Sequence, residues 1–167
     1  VLIAGAGPIG VIMAQVASAL GASEVIITDI SEDRRNFALK YGATRAIDPL
    51  VENVEGLGVD AFVDASGVAQ AVFSGIKAVG PAGHALLVGL GAEEMNLPVS
   101  HIQNNEIWVT GVFRYANTWP TGIDLVASGK VNLDALVTHT FGLGDVESAL
   151  NAGKLPGSMK VIVHPER

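Results

Sequence analysis

The sequence predicts an α/β protein with a doubly wound parallel sheet in three layers, helix-sheet-helix. Apolar strand-like runs alternate with helix-like runs along the chain, which is the order of open parallel sheets with right-handed crossovers. Several strand runs are almost continuously apolar, as expected where helices cover both faces of a sheet. The first strand also leads into a glycine-rich turn that opens the first helix.

The apolar runs define the elements in order. Strands are predicted at residues 1–5, 24–29, 45–47, 60–65, 84–89 and 107–113. Helices are predicted at residues 8–20, 32–41, 69–79 and, in a short form, 100–105. Gly21, Gly42 and Gly80 are placed to end helices, and Ser31 to begin the second one. The stretch 50–58 is too short for a crossover helix and predicts a turn.

The pattern changes after Phe113. It predicts a helix, a strand, a second helix and a last strand, at residues 121–128, 136–141, 143–152 and 159–164. These elements either extend the main sheet or belong to a neighbouring domain. The chain opens directly on a predicted core strand without an initiator Met, so we expect it to be a domain of a longer protein.

Composition limits the function. Hydrophobic residues make up 49% of the 167 residues, enough for one sizeable core. The net charge of −7 and the scattered lysines argue against a nucleic-acid partner. No apolar run reaches the roughly 20 residues of a membrane span. The chain has no cysteine, which excludes disulfides and thiolate zinc ligands within it and is compatible with a cytoplasmic location.

The glycine turn Gly5-Ala6-Gly7-Pro8-Ile9-Gly10 fits a diphosphate site. Gly5 permits the tight turn, Gly7 lets a pyrophosphate approach the backbone, and Gly10 lets the helix pack closely on the strand. Pro8 suits the first helical turn, where its missing N–H costs nothing. The alternative is an ordinary strand-turn-helix whose glycines serve packing alone. The position between strand and helix favours the Rossmann dinucleotide site.

An acidic residue stands where that site needs one. Asp29 ends the second predicted strand, about 20 residues beyond the turn, and its carboxylate can accept hydrogen bonds from the adenosine ribose. The same charge would repel the 2′-phosphate of NADP, so we expect NAD. Arg34 and Arg35 are the complication, because an arginine in this region can accommodate that phosphate. Their alternative role is a solvated first turn of the second helix.

Ligands of doubly wound sheets lie beyond the carboxyl ends of the strands. The fourth strand is followed by Ser66-Gly67, and the fifth ends in Val88-Gly89-Leu90-Gly91, whose backbone could bind a carboxamide. Small residues there leave room for a flat ring. Turn formation alone would also explain them, and Asp64 has the alternative of capping the next helix.

Taken together, these residues resemble the zinc-containing medium-chain dehydrogenases, and most closely their polyol branch of sorbitol (L-iditol) and xylitol dehydrogenases. The similarity runs over essentially the whole chain. Its most specific part is the segment Val112-Phe113-Arg114-Tyr115-Ala116-Asn117-Thr118-Trp119-Pro120. The other matching segments are Gly5 to Gly10, Asp29 with Arg34, Val88 to Gly91 and Leu136 to Phe141.

The resemblance implies roles for individual residues. The NAD contacts it implies are Ile9, Asp29, Arg34, Val88, Gly89, Leu90, Val112, Phe113 and Arg114. Arg114 and Tyr115 would also reach the hydroxyls of a sugar alcohol, which needs directional donors. The alternative is that Arg114 forms a surface ion pair and Tyr115 packs under the last helix.

The resemblance also implies what lies outside this chain. In the family a zinc ion polarises the substrate oxygen and hydride passes to the nicotinamide, and the zinc ligands belong to an N-terminal domain. Residues 1–130 would then be the NAD-binding domain and residues 131–167 a segment returning to the catalytic domain. His84, His101, His139 and His164 show no metal-ligand spacing. We therefore expect no catalytic or metal-binding residue here, and no turnover by the chain alone.

Two other functions stay open on the sequence. One is the coenzyme domain of a different medium-chain dehydrogenase, acting on a secondary alcohol or threonine; the other is a non-catalytic dinucleotide sensor. The pair Arg114-Tyr115 favours the polyol branch over both. Finally, the predicted edge strand 107–113 is apolar and lacks Pro and Lys, so we expect a homo-oligomer that pairs along it.

Overall fold

The computed structural model describes residues 1–166. Six parallel strands form one sheet in the order β3-β2-β1-β4-β5-β6. The strands are β1 Leu2–Ala4, β2 Ile26–Thr28, β3 Arg45–Ile47, β4 Val59–Asp64, β5 Val79–Leu87 and β6 Trp108–Gly111. The order reverses between β1 and β4, which is the topological switch of a doubly wound sheet. The predicted fold class is confirmed.

Helices cover both faces of this sheet. They are α1 Pro8–Ala19, α2 Glu32–Lys40, α3 Ala69–Lys77 and α4 Val99–Asn104. Residues of α1 and α2 share one core cluster with Ile3 and Ile27, whereas residues of α3 and α4 share another with Leu2 and Ile26. Neighbouring residues of β1 and β2 therefore point into different cores, and this is why both strands are apolar throughout.

The predicted helix ends are correct at two of three positions. Gly21 and Gly42 have φ of +95° and +94°, the left-handed conformation that glycine adopts without strain. The prediction for Gly80 is wrong: α3 is capped by Ala78, and β5 begins directly afterwards at Val79. The strand can begin early because Val59 pairs with Val79 before the register between β4 and β5 shifts.

The third crossover contains no helix, as predicted. Residues 48–58 run in turns from β3 to β4. Three ion pairs fasten them, between Asp48 and Arg35, between Glu52 and Arg45, and between Glu55 and Lys77. The loop is therefore tied to α2, to β3 and to α3.

The C-terminal elements do not extend the main sheet. They are α5 Trp119–Ala127, β7 Val137–Gly142, α6 Val146–Asn151 and β8 Lys160–His164. The strands β7 and β8 form a separate two-stranded parallel sheet. This part rests on α1: the Gln15 side chain donates to the Asn132 carbonyl and accepts from its N–H, at 3.2 and 2.7 Å. Leu136 and Met159 are buried in the same cluster as α1.

The C-terminal part also exposes apolar surface. Between α1 and α5 lies an open groove lined by Ile12, Val16, Trp119, Ile123 and Val126, among others. Ile123 is 61% exposed. Across residues 1–166, every helix is too short or too polar to cross a membrane.

Candidate functional site

The predicted site residues follow strand ends that lie in one row. Ala4 pairs with Thr28 on one side and with Asp64 on the other. The row continues through Leu87 to Gly111. Each strand is parallel to its neighbours, so the segments that follow all emerge at the same edge of the sheet. That edge carries the glycine turn, Asp29, Ser66, residues 88–90 and residues 112–115.

The glycine turn joins β1 to α1 in very little space. Gly5 has φ of +95°. A Cβ atom at Gly10 would lie 1.8 Å from the carbonyl oxygen of Gly5, so only glycine lets the helix lie this close to the turn. A Cβ atom at Gly7 would have no atom within 4 Å and would enter open space. The turn is therefore closed on the protein side and open on the solvent side.

The amino end of α1 faces that open space. Pro8 occupies the first helical turn and no acidic residue lies in it, so nothing on the helix neutralises its positive end. Ile9, which the resemblance places against the cofactor, is 52% exposed. The first N–H groups of the helix have no partner within the helix, and they suit an anionic group such as a diphosphate.

Asp29 reaches into the glycine turn. Its Oδ2 accepts the N–H of Ala6 at 2.8 Å, and its Oδ1 accepts the N–H of Ser31, also at 2.8 Å. The carboxylate is thus held between the turn and the start of α2. Each oxygen keeps lone-pair capacity for another donor, so a ribose diol could bind there as well.

The two arginines of α2 differ. Arg35 is only 17% exposed: its Nη1 donates to the carbonyl of Asp29 at 2.6 Å and lies 3.2 Å from Oδ2 of Asp48. A solvated first turn is therefore wrong for Arg35. Arg34 is half-buried, and its N–H donates to Oγ of Ser31, the predicted N-cap of α2. The sequence analysis did not predict a role for Asp48, which pairs with Arg35. Its position directly after the third strand, at the same edge of the sheet, could have indicated one.

The ends of β4 and β5 are packed closely together. Asp64 is buried, and its Oδ1 accepts from the N–H of Ser66, the hydroxyl of Ser66 and the N–H of Gly67. Its role is to shape this turn; α3 begins after Val68, without a side-chain cap. A Cβ atom at Gly89 would lie 2.2 Å from the nitrogen of Gly67. Glycine here lets the two strand ends touch.

The segment after β6 is exposed. Val112 still donates its N–H to the carbonyl of Leu87 at 2.9 Å, but the strand ends at Gly111, before the predicted end at Phe113. The guanidinium of Arg114 lies 4.9 Å from the centre of the Phe113 ring. The Tyr115 ring contacts Trp119 edge-on, with centroids 5.0 Å apart. Tyr115 therefore packs against the start of α5 and not under the last helix.

A cavity of about 280 Å³ lies beside Asp29. It is bounded by the end of β2, by the loop after β3 and by the start of α3. Its wall is mostly apolar and includes Ile30, Pro49, Leu50, Val54, Val68 and Ala71. The sequence pattern did not reveal this cavity, because three segments distant in the chain build it.

The histidines and carboxylates of the described part of the chain are not grouped as metal ligands. Residues 1–166 contain no cluster of three or more His, Asp or Glu side chains placed to hold a metal ion. His101 instead contacts the carbonyl of Val79, and His139 contacts the hydroxyl of Thr138. These residues do not fit a zinc ion.

The fold and this edge define a class: doubly wound α/β domains whose ligand lies at the carboxyl ends of the strands. The comparisons place the chain within that class. A model of the family described as zinc-binding dehydrogenase matches residues 8–128. The chain belongs to the zinc-binding dehydrogenase family.

Individual relatives show which members of the family this chain is similar to. Sorbitol dehydrogenase of Mus musculus is 36% identical over 98% of this chain and 48% of its own length. A probable D-xylulose reductase A of Aspergillus clavatus is 35% identical over 98% of this chain and 49% of its own length. These matches confirm the resemblance to the polyol branch. The chain spans about half the length of these relatives.

A solved structure gives the same picture. A zinc-binding dehydrogenase of Sinorhizobium meliloti, determined with NADP bound, has a TM-score of 0.91 and 26% identity. It is matched over 98% of this chain and 52% of its own. The six-stranded sheet and the C-terminal part are thus arranged as in that longer chain.

Proposed function

We propose that this chain binds NAD along the carboxyl edge of the sheet, as the coenzyme-binding part of a polyol dehydrogenase. The observation that supports this most is the hydrogen bond from the Ala6 N–H to the Asp29 carboxylate at 2.8 Å. It sets an acceptor for ribose hydroxyls beside the open amino end of α1, which attracts a diphosphate. One dinucleotide can satisfy both groups.

The two bases of a dinucleotide, adenine and nicotinamide, would lie on either side of the glycine turn. The adenine ring would enter the apolar cavity beside Asp29, whose 280 Å³ suits a flat ring system. The nicotinamide would lie across the topological switch, near residues 88–90 and 112–114. In this arrangement residues 1–130 form the cofactor domain, and residues 131–167 lead towards a catalytic domain.

The preference for NAD over NADP rests on charge. A 2′-phosphate would sit next to the Asp29 carboxylate, where like charges repel. Arg35, whose guanidinium donates to the Asp29 carbonyl, is engaged by Asp48. Isothermal titration of the 167-residue chain with NAD and with NADP tests the proposal. We expect tighter binding of NAD; equal or tighter binding of NADP would contradict the assignment.

The proposed reaction is hydride transfer between a sugar-alcohol carbinol and the nicotinamide, which supplies the hydride-accepting carbon when bound. The described residues contribute binding and orientation: α1 and Asp29 hold the cofactor, while Arg114 and Tyr115 donate hydrogen bonds to substrate hydroxyls. They offer no set of zinc ligands. We expect the chain alone to show no turnover.

The role of Arg114 can be tested in a full-length dehydrogenase that contains this chain. The substitution Arg114→Met should lower kcat/KM for sorbitol about tenfold, which corresponds to the loss of one charge-assisted hydrogen bond. The matched control substrate is 2-propanol, which lacks the additional hydroxyls; with both substrates assayed at saturating NAD, kcat/KM for 2-propanol should change little. An equal loss on both substrates would contradict a contact with polyol hydroxyls.

We also propose that two copies pair along β6. This strand bonds to β5 on one side only, at the edge of the sheet, and Trp108 on it is 70% exposed. Open apolar edges favour pairing, whereas an edge lysine opposes it. A cytoplasmic location, and the lack of nucleic-acid and membrane partners, stay predictions of the sequence.

A lysine on this edge should separate the copies. Thr110→Lys places a charge at an exposed position of β6, while the half-buried Val109 keeps its packing against the core. We expect wild-type chain to sediment as a dimer over a concentration series and the variant to shift towards monomer. A monomeric wild type would contradict pairing along β6.

A further inference from the structure

Arg35 lies next to the proposed ribose site, but its charge is paired with an acidic residue. The Arg35 guanidinium is held between the Asp29 carbonyl at 2.6 Å and the Asp48 carboxylate at 3.2 Å. Both side chains of the ion pair are largely withdrawn from solvent, with exposures of 17% and 25%. Partial burial means that solvent and salt screen the attraction between the two charges less than on the open surface.

The position of this ion pair matters because Asp29 belongs to both features. Its carbonyl accepts from Arg35, and its carboxylate is the proposed acceptor for the ribose hydroxyls. If Asp48 did not hold it, the Arg35 guanidinium beside the Asp29 carbonyl could turn towards a phosphate on the ribose. Arginine binds phosphate well through its several donors. Asp48 neutralises the cation and holds it towards β3.

We propose that Asp48 is a specificity-determining residue, which keeps Arg35 from pairing with the 2′-phosphate of NADP and so favours NAD. This inference rests on the proposed function, since it assumes a dinucleotide at Asp29. The other ionic contacts of the loop are separate: Glu52 pairs with Arg45, and Glu55 pairs with Lys77. Among the described ion pairs, Asp48 is the acid that engages Arg35.

Asp48→Asn is the informative change. Asparagine keeps an oxygen for the Leu50 N–H, which Oδ1 of Asp48 accepts at 3.0 Å, so the turn is preserved while the charge is lost. We expect NADP to bind about tenfold more tightly, the value of one charge-assisted contact. NAD affinity should change little. The readout is the ratio of the two dissociation constants, measured by calorimetry on the 167-residue chain.

Two further variants test whether a gain in NADP affinity comes from the release of Arg35. In the double variant Asp48→Asn with Arg35→Leu, the gain for NADP should disappear, because the cation that would bind the phosphate is gone. Glu55→Gln removes the same charge from the same loop but from the pair with Lys77, and should leave the ratio unchanged. A gain for NADP that persists without Arg35, or that Glu55→Gln reproduces, would overturn the proposal.

The experiment also separates this inference from the function on which it rests. If neither NAD nor NADP binds the wild-type chain, the proposed function itself fails. If NAD binds and Asp29→Asn weakens it, but Asp48→Asn leaves the ratio unchanged, then the dinucleotide site stands and the role of Asp48 is wrong.

Discussion

Gly10→Ala is expected to cost this protein much of its stability. The added Cβ would lie 1.8 Å from the Gly5 carbonyl oxygen, which belongs to the backbone of the same tight turn and cannot move aside as a flexible side chain could. To relieve the overlap, α1 would have to move away from β1 and disturb the cluster that contains Ile3 and Val11. We expect the free energy of unfolding to fall by about 3 kcal/mol, measured by urea denaturation followed by circular dichroism.

Gly7→Ala is the matched control, because it adds the same methyl group only three residues away, at a position with free space. Gly7 has φ of −72°, which alanine adopts readily, and its Cβ would enter open space. Stability should change by no more than about 0.5 kcal/mol. NAD binding should nevertheless weaken, because the methyl group would occupy the proposed place of the diphosphate. Equal stability of the Gly10→Ala and Gly7→Ala variants would contradict the close packing described here.

The fold could be predicted because its main determinants are local. Leu2 and Ile3 are adjacent in sequence and buried in different cores, so the strand is apolar at every position and its pattern is unmistakable. The glycines after α1 and α2 are needed for a left-handed backbone, which a single residue type reveals. Such signals do not depend on which strand lies next to which.

Other features of the fold depend on partners distant in the chain. β5 begins at Val79 because Val59 is there to pair with it, and no local pattern near Gly80 contains that information. The separate sheet of β7 and β8 is a similar case. Its strands carry an ordinary apolar pattern, and whether they join the main sheet is decided by packing against α1.

The same division applies to the site. Gly5, Gly10 and Asp29 could be predicted because their spacing follows from one strand-turn-helix unit and the next strand. The contact of Arg35 with Asp48 could not, since it requires the ends of β2 and β3 to be neighbours in the sheet. The cavity beside Asp29 requires three segments to meet and is equally absent from any local pattern.

Asp29→Asn is expected to weaken NAD binding at least about tenfold. The substitution removes the charge that would bind both ribose hydroxyls. It also replaces one oxygen by an amide nitrogen, which cannot accept from the N–H of Ala6 or of Ser31, whichever it faces. The loss should therefore combine a weaker contact with a less ordered glycine turn. Calorimetric titration with NAD and NADP measures it.

Comparison of the two cofactors separates these effects. A disordered turn would weaken both cofactors equally, because both carry the same diphosphate. Loss of the charge would weaken NAD more than NADP, since it also removes the repulsion of the 2′-phosphate. We therefore expect the preference for NAD to narrow. Asp33→Asn, an equal change of charge at an exposed position in the first turn of α2, should leave both affinities unchanged. If Asp29→Asn bound NAD as tightly as wild type, Asp29 would have no part in the site.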